Sequence, residues 1–151
     1  MKGTKLSVLV DLQGLPLSII VVPANKNDST LYIPTLKNFK IKRPVGRPVT
    51  RPSKMTADGM YDTAKIRKYN RKRGIKSNIP VNKRNRKKKK RGRPIKLDKK
   101  EYKKKSVVER FFSWIESCKK VFPRYEIKET SYLGVVMLAA IIRLDEILGY
   151  A

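Results

Sequence analysis

The sequence predicts an α/β chain, a mixed sheet with flanking helices, on three observations. The stretch "KLSVLVDLQGLPLSIIVV" at 5–22 is two apolar, β-branched runs broken by "DLQG". Short strand-like pieces at 54–58 and 75–80 bracket a helical stretch, and the last third carries apolar residues at helical spacing. A strand, helix, strand order favours helices layered on a sheet.

The first two runs, within residues 4–23, form a hairpin with Asp11 at the edge of its turn. After "PANKNDS", residues 30–40 read as a short helix capped by Ser29, with Leu31, Ile33, Leu36 and Phe39 as its apolar positions. Pro34 fits such a helix only near its first turn. The segment 41–53, rich in proline and cations, reads as a basic loop. A helix over 61–73 shows a weak apolar face of Ala64, Ile66 and Tyr69 and a stop at Gly74.

From 82 to 105 the chain is a second basic loop of low complexity, with 10 Lys or Arg among the 14 residues 83–96. A block of like charge repels itself and is expected to stay disordered until phosphates neutralise it. Helices are expected at 105–122, with Val107, Val108, Phe111, Trp114, Ile115, Cys118 and Phe122 on one face, and at 131–148, buried against the sheet. One domain, 1–151, is of ordinary size for such a set.

Composition narrows the function. The net charge of +26, from 38 Lys+Arg against 12 Asp+Glu, points to a polyanionic partner, nucleic acid ahead of a membrane surface. A single cysteine, Cys118, and no histidine exclude disulfide frameworks, Cys/His zinc sites and His-based catalytic triads. Any metal would be held by carboxylates and would be a hard ion, Mg²⁺ or Mn²⁺. The apolar run 132–142 is shorter than the ~20 residues that span a bilayer, and the N-terminus shows no signal-peptide pattern, so the chain reads as cytoplasmic.

The few acids have two readings each. Asp58 and Asp62, before a helix, suit N-capping, and Glu109, one turn after Lys105, suits a surface ion pair. Asp58 at a strand end and Glu109 inside an amphipathic helix also suit metal ligation, in which two hard cations activate a hydroxyl and stabilise a leaving oxygen of a phosphodiester.

The segments "GTKLSVLVDLQGLPLSIIVVPANKNDSTLYIPTL", "GRPVTRPSKMTADGMYDT", "RGRPIKLD", "SVVERFFSWIESCKKVFPRYE" and "YLGVVMLAAIIRL" together resemble, in order, the C-terminal portion of insertion-sequence DDE transposases of the bacterial and archaeal type. The resemblance implies an RNase H-like core, incomplete at its N-terminus. It also implies Asp, Asp and Glu holding divalent metal, cleavage of transposon ends, and joining of their 3′-hydroxyls to target DNA. Asp58 matches the second catalytic Asp and Glu109 the catalytic Glu. The family signature Tyr-x2-Arg-x3-Glu-x6-Lys is met by Tyr102, Lys105 and Glu109, with Lys for Arg.

The fourth signature position is Glu116, a reversal of charge for which Lys119 or Lys120 would have to substitute. The first catalytic Asp has no match, since Asp11 aligns with a hairpin residue and Asp28 reads as a loop or cap residue. The chain then reads as a truncated or split-frame transposase; in the split-frame case an upstream-frame polypeptide supplies the first Asp, and a homodimer on DNA is the expected form.

Lys105, Tyr102, Lys119, Lys120 and the arginines Arg47, Arg91 and Arg93 of the "GRP" echoes are the expected DNA contacts. Tyr61, Tyr102 and Trp114 read first as packing residues, with Tyr102 also able to touch a DNA end. The alternative is a non-enzymatic AT-hook-like protein whose "RGRP" and "VGRP" cores lie in the minor groove. A basic RNA-binding protein is a third class that the charge allows.

Overall fold

The computed structural model describes residues 3–85 and 94–149. The chain forms two compact units, Lys26–Lys105 and, from both ends of the sequence, Met1–Asn25 with Ser106–Ala151.

The two-ended unit opens with the expected hairpin. Strands β1 (Thr4–Val10) and β2 (Pro16–Pro23) pair antiparallel. Asp11 Oδ1 accepts from the backbone N–H of Gln13 (2.8 Å) and Leu15 (2.9 Å), and Gly14 takes a positive φ of 96° that L side chains resist. The carboxylate is thus committed to the turn.

Helices α4 (Ser106–Ser117) and α5 (Glu129–Leu148) complete this unit. Its core joins Ile19 of β2, Phe111 and Ile115 of α4, Val121, and Tyr132, Val136, Ala139 and Ala140 of α5. The expected helix to 122 stops at Ser117, whose hydroxyl donates to the Trp114 carbonyl, and tight turns follow through Cys118 and Val121. Phe122, expected on the apolar face, is therefore 66% exposed. Only one stripe of α5 is buried, and Leu138, Ile141, Ile142 and Leu148 lie exposed.

The unit Lys26–Lys105 is a β-α-β element with added helices. Strands β3 (Lys54–Thr56) and β4 (Lys76–Asn78) pair parallel, with Met55 opposite Ser77. Helix α2 (Ala64–Arg73) makes the crossover that parallel pairing requires. Ile66, Ile75 and Ile79 are buried here, as are Leu31, Tyr32, Leu36 and Phe39 from α1 (Asp28–Asn38) and its C-cap. Among the described residues, both pairing senses of a mixed sheet exist, but in two separate two-stranded ladders rather than one sheet.

Several boundaries shift for local reasons. Asn27, not Ser29, caps α1, accepting from the Ser29 N–H. Pro34 then falls in the helix interior, well beyond the first turn. Thr63 caps α2, accepting from Ile66 N–H, while Gly59–Tyr61 form a separate 3₁₀ turn. Neither Asp58 nor Asp62 caps α2. Asp62 is instead buried, with Oδ1 taking Arg67 Nε at 2.5 Å and Oδ2 taking Asn82 N–H at 2.8 Å.

The basic segments have more structure than their composition suggests. Ile41 and Val49 exchange two backbone hydrogen bonds of 2.9 Å, closing residues 42–48 into a lobe with Gly46 at φ 91°. In the second segment Lys83–Asn85 form a 3₁₀ turn and α3 (Lys99–Lys103) a short helix. Of the run 82–105 expected to be disordered, residues 86–93 lie outside the described residues.

Candidate functional site

In the unit Lys26–Lys105, side chains from distant points of the sequence meet at Asp58, just past the end of β3. The Tyr102 hydroxyl donates to Asp58 Oδ1 at 2.8 Å across 44 residues of sequence. Lys105 Nζ lies 3.7 Å from the same oxygen and 5.4 Å from the centre of the Tyr102 ring. The tyrosine hydrogen bond is the first cause holding the Asp58 carboxyl below its ordinary value, with the Gly59 N–H and the Lys105 charge adding to it. Burial and the same hydrogen bond push the Tyr102 phenol up.

The chain brings Tyr102 there through α3, which is fixed at its start. Buried Asn78 on β4 accepts from the Asp98 N–H (2.9 Å) and donates to the Asp98 carbonyl (3.1 Å). Asp98 in turn caps α3 by accepting from Glu101 N–H, and Lys54 of β3 pairs with both Asp98 (3.1 Å) and Glu101 (2.5 Å). These two carboxylates raise the Lys54 ammonium, Glu101 being the larger cause. The pattern Asp98-Lys-Lys-Glu101 is a capping-box spacing, the sequence signal by which α3 was findable.

Behind Asp58, Tyr61 packs on Tyr32 with ring centres 5.6 Å apart, and burial raises both phenols, Tyr32 to about 12. Tyr61 is thus a packing residue. Buried Asn70 donates to Tyr32 (2.8 Å) and Ser77 (2.8 Å), tying α2 to α1 and β4.

The other expected site residues divide between the two units. Arg47 is exposed in the 42–48 lobe, and Arg91 and Arg93 lie outside the described residues. In the two-ended unit, Glu109 stands exposed in the first turn of α4, where a carboxylate complements the helix dipole. Glu116 is exposed on α4, and Lys119 and Lys120 in the turn after it. Trp114 packs against Phe111 and beneath the Arg143 guanidinium, 5.3 Å from its ring centre.

A family model described as "Transposase DDE domain" matches residues 1–142. The chain belongs to the DDE transposase family. Over 74 residues it is 36% identical to a transposase for insertion sequence element IS402 of Burkholderia cepacia. The matched stretch covers 48% of this chain and 35% of that relative. No solved structure matches. No helix among the described residues is long and apolar enough to cross a membrane.

DDE transposases generally use divalent metal ions. Among the described residues of this domain no three Cys, Asp or Glu side chains form a group able to hold one. Asp58 is a hard oxygen donor of the right kind, yet its Oδ1 faces a phenol and an ammonium, both hydrogen-bond donors. These residues do not by themselves make a metal seat.

Proposed function

We propose that the chain works in transposition as part of a transposase catalytic domain of RNase H-like type. It binds double-stranded DNA at element ends and target, and contributes to metal-dependent strand cleavage and 3′-hydroxyl transfer. The observation that carries this reading is the meeting of Tyr102 and Lys105 with Asp58. Two positions of the signature around Glu109 touch, from far along the sequence, the residue aligned with the second catalytic Asp. Composition alone does not pick these two residues out of the chain's 38 Lys+Arg and 7 Tyr.

In this reading Asp58 and Glu109 are the retained acids and take Mg²⁺ or Mn²⁺ once a third carboxylate joins them from an upstream-frame polypeptide. Lys105 holds a DNA phosphate as a point charge, without the two-pronged grip of arginine, and Tyr102, its hydroxyl given to Asp58, touches the DNA end with its ring. Arg47, Arg91, Arg93, Lys119 and Lys120 neutralise backbone phosphates. The working form is a homodimer on DNA in a prokaryotic cytoplasm.

The test is Mn²⁺-dependent nicking of DNA carrying the element's ends, by the chain alone and mixed with the polypeptide encoded upstream. Nicking by the mixture that is lost in both Asp58→Ala and Glu109→Ala is the expected result. Absence of nicking in both preparations, with DNA binding intact, would overturn the catalytic reading and leave a DNA-binding protein.

A further inference from the structure

Charge is divided very unequally between the two units. Residues 26–105 hold 30 of the 38 Lys+Arg and 5 of the 12 Asp+Glu, a net charge of +25, and the remaining 8 and 7 leave the two-ended unit at +1. Within residues 26–105 no acid occurs between Asp28 and Asp58, nor between Asp62 and Asp98. Helix α2 and the 42–48 lobe fall in these two acid-free stretches.

We infer that α2 and this lobe form one preorganised face that grips the phosphate backbone of duplex DNA, separate from the contacts at Asp58. The inference rests on the reading that the chain acts on DNA. Ile66 and Asn70 bury the inner side of α2, which leaves Lys65, Lys68, Arg71 and Lys72 exposed outside. None of these four is engaged in an ion pair among the described residues. Lys65, Lys68 and Lys72 share one stripe of about 10 Å at helical rise, long enough to lie along successive phosphates, which follow one another every ~3.4 Å of axis on each strand.

The lobe is fixed to the C-terminal end of this helix by a reciprocal arginine staple. Arg51 Nη1 donates to the Arg73 carbonyl, and Arg73 Nη2 donates to the Thr50 carbonyl at 2.8 Å. The Ile41–Val49 bridge closes the lobe just before the staple, so Lys42, Arg43 and Arg47 are held at the end of the cationic stripe. Arg51 and Arg73 each donate to a protein carbonyl and act as positioning residues, while the lysines and Arg47 take phosphates.

The test measures binding of a short duplex of arbitrary sequence to the full chain over a salt series, with wild type and three variants. Replacing Lys65, Lys68 and Lys72 by Gln is expected to weaken binding and to flatten the salt slope by about 0.9 for each phosphate left without its cation. Replacing Lys87, Lys88 and Lys89 by Gln removes the same charge and is expected to cost less. Arg51→Lys keeps the charge but cannot rebuild the staple, and is expected to weaken binding several-fold with an unchanged melting temperature.

Equal weakening in the two triple variants, or full affinity in Arg51→Lys, would overturn the inference in favour of diffuse attraction. Tighter binding to a double-stranded RNA of the same length would overturn the assignment to DNA. A wild-type chain that binds no duplex would instead sink the DNA reading itself.

Discussion

A phenol that donates to a carboxylate stabilises the ionised form, and at Asp58 this is the leading effect. A depressed carboxyl pKa contributes stability that is present above the unfolded value and lost as pH falls through the folded one. Tyr102→Phe removes the leading cause, so the Asp58 carboxyl should move up toward the ordinary value, followed by NMR titration of its side-chain carbon. An unmoved titration would mean that the hydrogen bond does not set the carboxylate's affinity for protons. The buried pair Asp62–Arg67 behaves differently, since Asp62's side chain is 0% exposed and its partner 15%. Arg67→Ala removes the cation beside a buried carboxylate and should cost about 3–5 kcal/mol, read by urea unfolding. Sequence reading placed Asp58 among the site residues but gave Asp62 a cap's role, because the partner five residues on, Arg67, was one cation among many.

At the level of elements, the caps and anchors are separable from the surface they present. Thr63→Ala should destabilise α2 by about 1 kcal/mol, measured as a lowered thermal midpoint. Asn78→Ala removes both hydrogen bonds that fix the start of α3. Its expected signature is a rise in the Asp58 pKa like that of Tyr102→Phe, although Asn78 is hydrogen-bonded to Asp98 and not to Asp58. A normal Asp58 titration in that variant would show that α3 holds its place without β4. Gly74 ends α2 at φ 66°, and a β-carbon there would run into the Arg51 guanidinium. Gly74→Ala should therefore both strain the backbone and open the staple.

The hairpin was legible because β-branched runs and a turn bounded by Asp11 and Gly14 are local signals, and so was the amphipathic α4. Less legible was the end of α4, since Ser117 and Cys118 carry no strong stop and apolar spacing continued to Phe122. The true cap of α1 was one of four adjacent cap-forming residues, Asn27 to Thr30, and only backbone geometry chooses among them. Helix α3 was hidden by cations, although its capping-box spacing was present.

For the whole molecule, the sequence reports total charge but not its division. The value +26 is read at once from composition, whereas its near-complete placement in residues 26–105 emerges only when the chain's two ends are seen to form one unit. Pairing of strands was likewise beyond local pattern. Alternation finds strands, and which strands become neighbours is decided by packing far apart in sequence, here in two ladders. Binding to duplex DNA should follow a steep linear dependence of log affinity on log salt, with a slope of about 0.9 per phosphate neutralised. A flat salt response would contradict phosphate neutralisation as the source of affinity.

The staple between the lobe and α2 joins two arginines through carbonyl acceptors rather than carboxylates. Its acceptors bear no formal charge, so counterions have little to screen and acid has nothing to protonate. The face on residues 26–105 should then keep its shape across the ionic strengths and mildly acidic conditions that strip DNA from it. Release would be a change of ligand occupancy without a change of scaffold, and a column eluted with salt should return the protein ready to rebind.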